Sequence, residues 1–432
     1  MAKQNRPIVY VNALVIVLIG ALIGWWFRLQ KFPEKYRAPV ISGSMAASVP
    51  GPHYSLECYD CKIPLIVDAT TVDQQNRPIC FNCGAPNSLD DLTAQVNAVS
   101  YIDARDQTLR RWQIAVFDHE KSRYIKRIVG LPGEKIATEG GELYLDGELY
   151  QKNLNEFDRL STVVFDSRFH PHDSSYNFLR RFGVRGDDQG WIYTMDNIFA
   201  FDSPEKTHLQ WLDYFHWNVI AGFVPSVERG SQTAIMDYLP YNQFISRSEL
   251  NFVDDVVIDL SLRIYKPGVV GIRLFDVHVE LDYQKFVKRT KQGESSNALV
   301  SFPKIEWGEK GTDIKIRLGL VDQRLIFETE GSSSIVSVRP FTLTGNYEQD
   351  IEARLNPFSI SVDEGILDVT HIKVARDIYW LGADYTSARW ESEPVADEKA
   401  FLLIGDNQSV SRDCRQWDQR ISKDAIIGIA ID

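Results

Sequence analysis

The chain has 432 residues, 44% of them apolar, with ten Trp, eighteen Tyr and 22 Phe, enough for more than one globular core. Its 47 Lys and Arg against 59 Asp and Glu leave a formal net charge of −12, which argues against a general binder of nucleic-acid phosphates. No low-complexity tract and no repeat of fixed period is present, so neither a long disordered arm nor a solenoid is indicated.

Ile8 to Phe27 is a nearly unbroken apolar run whose strongly polar member is Asn12. As a helix it can cross roughly 30 Å of hydrocarbon, with Trp25 and Trp26 at headgroup level. Lys3 and Arg6 precede it and Arg28, Lys31, Lys35 and Arg37 follow, so charge does not set its orientation. A cleaved secretory peptide needs small residues after a short apolar core, whereas Gly24 here leads into Trp25-Trp26-Phe27-Arg28. The expectation is an uncleaved single-pass anchor in the cell membrane. Residues 1–38 are its anchor and linker, with Phe32 to Val40, holding two prolines and mixed charge, as a short spacer.

Residues 39–52 contain Ser42-Gly43-Ser44-Met45, which alone reads as an ordinary loop. Residues 53–98, set off by Pro50-Gly51-Pro52 and Pro86-Asn87-Ser88, read as an insertion. Within it, Cys58-x2-Cys61 and Cys80-x2-Cys83 have the spacing of a four-thiolate zinc ribbon, and Gly84 supplies backbone freedom after the second pair. Structural Zn2+ is expected, with two disulfides as the alternative in an oxidising compartment. His53 is superfluous once four thiolates complete a tetrahedron, and Cys414 reads as a small buried hydrophobe.

Residues 99–150 hold strand-like runs at Gln113 to Phe117 and Tyr124 to Val129, then a hairpin of Leu143 to Leu145 and Leu149 to Tyr150 around Asp146-Gly147. On a strand Lys126 shares a face with Tyr124 and Ile128, while Arg127 lies opposite. Burial without a carboxylate partner makes such a lysine a base: a fall from about 10.4 to near 8 corresponds to roughly 3 kcal/mol of desolvation. The plainer alternative is a lysine snorkelling to water.

Residues 151–397 open with aromatic clusters such as Trp211 to Trp217 that lack periodicity. Alternating runs then appear at Val256 to Leu262, Val269 to Leu274, Val277 to Leu281, Ile314 to Leu318 and Arg324 to Thr329, the spacing of a β-sandwich. Lys285 to Asn297 reads as an exposed loop. In residues 398–432, the apolar strand Phe401 to Ile404 runs into a Gly405-Asp406-Asn407 turn. Ser411 is a candidate partner for the Lys126 amine, and Asp413 and Arg415 read as a bracing ion pair. No Gly-x-Ser-x-Gly elbow exists and nothing selects a catalytic histidine.

Ser42-Gly43-Ser44-Met45, Tyr124-Ile125-Lys126-Arg127 and Gly405-Asp406-Asn407 with Ser411, Asp413 and Arg415, in that order behind an apolar span, resemble bacterial signal peptidase I, a membrane-bound serine endopeptidase. The resemblance implies Ser44 as nucleophile and Lys126 as general base. It implies an oxyanion hole of the Ser42 hydroxyl and the Ser44 N–H, Ser411 orienting Lys126, support from Arg127, Asp413 and Arg415, and no catalytic cofactor. It further implies a mainly β catalytic domain facing the bilayer on its extracytoplasmic side. Its substrates would be precursors with signal peptides, cut after small residues of the Ala-x-Ala type. Three positions depart from the pattern: Met45-Ala46-Ala47-Ser48 lacks the usual proline, Trp112-Gln113 replaces Gly-Asp, and Cys414 replaces serine.

A second reading is a non-catalytic membrane-anchored binding protein that uses the β-sandwich on a peptidase-like scaffold. A third is a protease of narrow clientele, with ribbon and sandwich as selectors. Retention of Ser44, Lys126 and Ser411 together favours an enzyme, since a scaffold requires none of them. No oligomeric state is indicated.

Overall fold

Three distant stretches of the chain supply the strands of one seven-stranded antiparallel sheet. Its order is Lys35–Pro39, Ala98–Asp103, Ile426–Ala430, Ile114–His119, Ser122–Gly130, Ala400–Ile404 and Ile421–Ser422. The computed structural model describes residues 34–172, 181–185, 190–194, 199–203, 210–217, 232–245, 250–266, 268–275, 277–282, 288–291, 311, 313–329, 332–337, 347–363, 365–386, 389–392 and 399–431. The expected apolar span at residues 8–27 lies outside them. Among the described residues no helix is long and apolar enough to cross a membrane.

The local reasons for the sheet are legible in its turns. Ile114–His119 and Ser122–Gly130 are joined by Glu120 and Lys121, both at positive φ (45° and 67°), the tight turn that matches the twist of a hairpin. Asp146 and Gly147 do the same between Glu142–Leu145 and Glu148–Leu149, the hairpin expected there. A core of Phe117, Ile128, Ile136, Leu143, Trp380, Leu402, Leu403 and Ile426 joins the large sheet to a small four-stranded one that contains this hairpin.

The expected spacer at Phe32 to Val40 is instead largely strand: Lys35–Pro39 pairs along its length with Ala98–Asp103. Pro39 does not prevent this, because it ends an edge strand, where a missing N–H is tolerated.

Residues 151–397 contribute two further sheets. One has eight strands with Val256–Lys266 and Gly365–Arg376 at its centre; the other has six, including Gln210–Tyr214, Val269–Leu274 and Phe358–Asp363. Alternate residues of both, among them Ile258, Leu260, Ile272, Phe358 and Ile360, meet in one apolar cluster. The molecule is thus mainly β. Lys285 to Asn297 is not loop throughout: Lys288–Lys291 is a strand paired with Val277–Asp282. Its run of four charged or polar residues hides the strand because an edge needs only backbone pairing on one side.

Lys152 fastens the two parts together. Its side chain, 1% exposed, pairs with Asp322 and, at 2.9 Å, with Asp377, while its backbone N–H donates to Asp322 at 2.7 Å. Glu142, Asp255 and Asp322 gather around the same point. Burial alone would strip the lysine of its proton, but Asp377 and Asp322 outweigh it and hold its pKa well above the usual range. Lys152→Met should therefore destabilise the protein by about 3–5 kcal/mol, since it leaves buried carboxylates without their cation. Urea unfolding measures this, and a loss below about 1 kcal/mol would show that the cluster neutralises itself by protonation.

Candidate active site

Ser44 sits in a tight turn stabilised by an Ala46 N–H to Gly43 O bond of 3.1 Å and a Val49 N–H to Met45 O bond of 2.7 Å. The turn is seated on the Gly405-Asp406-Asn407 segment: Asn407 N–H donates to Ser44 O at 3.1 Å and Asn407 Nδ2 to Gly43 O at 3.0 Å. A side chain at position 405 could not be accommodated, because its Cβ would fall 2.1 Å from Ser411 Oγ and 2.5 Å from Ser44 O. Glycine there is required by close approach.

The strand Ser122–Gly130 carries Lys126 beneath this turn, and its Nζ lies 2.6 Å from Ser44 Oγ and 3.0 Å from Ser411 Oγ. The ammonium is 2% exposed, and burial pushes its pKa down to about 8. The Asp413 carboxylate opposes that fall most strongly, but its charge is already taken up. Arg415 reaches it with Nε and Nη2 at 2.9 Å each, and both side chains are 0% exposed. Burial would push the Asp413 carboxyl up; Arg415, together with the Gly405 N–H and the Ser411 hydroxyl, outweighs it and holds the group below its usual range. Ser411 donates to Asp413 Oδ2 at 2.6 Å, leaving its own oxygen to accept from Lys126. Asp413 also caps the short helix Cys414–Trp417, its side chain accepting the Arg415 N–H.

Ser42 is exposed, with its hydroxyl 3.2 Å from Ser44 Oγ. Arg127 points elsewhere, to Asp406 at 2.6 and 2.7 Å, Trp112 O at 2.6 Å and Ser48 Oγ at 3.0 Å. It ties three segments around the site without touching Ser44's hydroxyl. Trp112, standing where the resembling family has glycine, adopts φ +70° and stacks on Trp380 with centroids 5.9 Å apart. Packing there overrides a backbone conformation that favours glycine. Cys414 is buried as expected, and its sulfur also accepts the Leu403 N–H at 3.3 Å. A cleft of about 240 Å³ borders the turn, lined among others by Ala46, Ser48, Leu239, Tyr379 and Asn407.

The residues not anticipated are Tyr241 and Asn242. Asn242 Nδ2 donates to Asn407 Oδ1 at 2.8 Å and Asn407 Nδ2 returns the bond at 2.7 Å. Tyr241 covers Gly43 so closely that a Cβ there would meet its ring at 2.6 Å. Their sequence context, between aromatic clusters with no periodicity, offers no signal.

Cys58, Cys61, Cys80 and Cys83 converge with their sulfurs all within 4.8 Å of one another, and none is in a disulfide. The Cys58–Cys83 and Cys61–Cys80 sulfurs are 3.6 Å apart, close to the edge of about 3.8 Å of a thiolate tetrahedron around one ion with bonds near 2.3 Å. Both pairs form the same knuckle. Cys58 O accepts the Lys62 N–H at 3.0 Å and Cys80 O the Gly84 N–H at 2.8 Å, with Lys62 and Gly84 at φ 66° and 83°. His53 takes no part; its Nδ1 lies 2.6 Å from Gly51 O. The donor set fits a soft, tetrahedral metal ion.

Residues 62–181 match the family model described as signal peptidase, peptidase S26, which supports a signal-peptidase-like domain and, at family level, a serine-peptidase hydrolase. Lys126 falls inside the match and Ser44 outside it. No curated protein matches the chain. Among solved structures, a carbohydrate-binding module, CBM66 from Bacillus subtilis, is 8% identical with a TM-score of 0.24, covering 43% of this chain and 90% of its own. The mannose-bound exoplasmic/lumenal domain of VIP36 is 9% identical with a TM-score of 0.28, covering 48% and 84%. Neither likeness carries an argument about function.

The folded-state pKa of Lys126 lies below its unfolded value, so the unfolded chain binds more protons between about pH 8 and 10.5 and stability rises with pH across that window. At pH 7 the buried ammonium costs the fold about 3 kcal/mol. Lys126→Met should therefore stabilise the protein at pH 7 and gain progressively less above pH 8. Urea titrations at pH 7 and 9.5 check this, and equal gains at both would contradict the burial argument.

Proposed function

We propose that the protein is a membrane-anchored serine endopeptidase that removes signal peptides by a Ser44/Lys126 dyad, cutting after small residues of the Ala-x-Ala type on the extracytoplasmic side of the cell membrane. The observation that carries this reading is a buried amine 2.6 Å from a serine hydroxyl, bonded to hydroxyls rather than paired with a carboxylate, with its pKa brought to about 8. The S26 match over residues 62–181 supports the reaction class.

Neutral Lys126 takes the Ser44 proton as Oγ attacks the scissile carbonyl. The Ser42 hydroxyl and Ser44 N–H receive the oxyanion, worth about 3 kcal/mol per donor. The resulting ammonium protonates the departing amine and the C–N bond breaks, leaving an acyl-enzyme. Lys126 then deprotonates a water that attacks the ester, and Ser44 recovers its proton as the acid product leaves. Ser411 holds the amine by accepting one N–H, so the lone pair is directed at Ser44. Arg127, Asp413 and Arg415 keep the segments around the pair in register.

The working division of the chain is an anchor at 1–38, catalytic segments at 39–52, 99–150 and 398–432, a zinc-binding insertion at 53–98 and the sandwich-bearing region at 151–397. Zn2+ held by Cys58, Cys61, Cys80 and Cys83 would be structural, a cross-link for a segment with a short two-stranded sheet of its own. Purified protein should then contain one equivalent of zinc by elemental analysis, and Cys58→Ser should lose it along with several degrees of melting temperature; a metal-free protein of unchanged melting temperature would remove the ion from this account.

Cleavage of a membrane-inserted precursor bearing an Ala-x-Ala site tests the central reading. Wild type should cut, Ser44→Ala and Lys126→Ala should each lose at least about 10³-fold in kcat, and kcat/KM should climb with pH through about 8. An inert wild type, or activity that survives Lys126→Ala, would overturn it in favour of a binding protein on a peptidase-like scaffold.

A further inference from the structure

We propose that Asn242, which lies far from the three catalytic segments in the chain, is a positioning residue for Ser44, acting through Asn407. The inference rests on the reading of Ser44 as nucleophile, but the geometry behind it is independent. Asn242 and Asn407 form a reciprocal amide pair, each donating to the other at 2.8 and 2.7 Å, and they are 7% and 1% exposed. Asn242 Nδ2 also approaches Ser409 Oγ at 3.1 Å. The pair fixes the plane of the Asn407 amide. That plane decides where Asn407 Nδ2 points, which is to Gly43 O at 3.0 Å, while the Asn407 backbone N–H holds Ser44 O at 3.1 Å.

Asn242 is itself clamped on both sides. Tyr241 accepts the Asp68 N–H at 3.1 Å, donates its hydroxyl to Pro52 O at 3.2 Å and packs over Gly43 with Ala46 and Leu239. Gln243 meets Ile79, one residue before Cys80, through a pair of bonds: Ile79 N–H to Oε1 at 3.2 Å and Nε2 to Ile79 O at 3.3 Å. Arg376, at the end of a central sandwich strand, donates to Tyr238 O at 2.8 Å. Three consecutive side chains thus join the serine turn, the motif that seats it and the cysteine segment. A residue serving only the fold of residues 151–397 has no reason to bury an amide against Asn407, since the pair costs desolvation on both partners. A nucleophile needs its turn held to within a fraction of an ångström, and loss of that precision is expressed in rate.

The test compares full-length wild type with Asn242→Ala, Asn242→Leu, which keeps the branching of the side chain without its amide, and Ile272→Val in the sandwich core as a control of matched melting-temperature loss. In precursor cleavage, both Asn242 variants should lower kcat by about 10- to 100-fold with KM within about twofold, the pH profile keeping its rise near 8, while Ile272→Val stays at the wild-type rate. Wild-type kcat in both Asn242 variants, beside active wild type and inactive Ser44→Ala, would overturn the positioning role and leave the peptidase reading standing. If wild type itself does not cleave, the peptidase reading fails and hydrogen exchange decides the inference alone. Amides of residues 43–45 should exchange at least about tenfold faster in both Asn242 variants than in Ile272→Val, and equal exchange would overturn it.

Discussion

A lysine ammonium taken out of water must either find a counter-charge or give up part of its hold on its proton. Lys126 is placed where the carboxylates that act on it are already paired with arginines, and most of the site can be understood as the means of keeping them so. Arg415 occupies both oxygens of Asp413, Ser411 stands between that pair and the amine, and Asp406 is held off by Arg127. Had either acid been left unpaired, Coulomb attraction would draw the amine's pKa back up toward its ordinary range. The Asp413–Arg415 pair therefore bears on the amine as much as its direct neighbours do, because Arg415 opposes the pull of the carboxylate on the Lys126 proton.

The same constraint explains why the chain brings its parts together from such separation. The strand bearing Lys126 is flanked by Ile114–His119 on one side and Ala400–Ile404 on the other, so the segment that delivers Ser411 and Asp413 enters the site directly from a neighbouring strand. Everything between residues 151 and 397 can grow without altering that adjacency, provided that its two ends return to the same sheet. The contacts of Tyr241, Asn242 and Gln243 show that the intervening region does more than return; it leans on the serine turn.

Much of this was legible in the sequence. Small or acidic side chains at fixed spacing, Ser44, Ser411 and Asp413, and a lysine on a strand of alternating apolar residues are local signals, and the structure brings them within hydrogen-bond reach. The cysteine knuckles were equally plain, although Lys62, which takes the left-handed conformation that Gly84 takes in the second knuckle, carries no compositional mark. What was hidden depends on pairing at a distance. Lys35–Pro39 looked like a spacer because edge strands need no apolar alternation, and Lys288–Lys291 looked like a loop for the same reason. Asn242 was invisible because an amide that bonds another amide 165 positions away leaves no pattern in its neighbours.

The strand Ile426–Ala430 lies inside the seven-stranded sheet, between Ala98–Asp103 and Ile114–His119, rather than at its rim. During synthesis the two early strands therefore have a gap between them until residue 430 leaves the ribosome, while the sandwich, whose strands all precede residue 377, can close on its own core first. A chain folding in this order would carry a closed sandwich beside a sheet with an open slot, and Ile426–Ala430 would fill that slot by zipping to both neighbours at once.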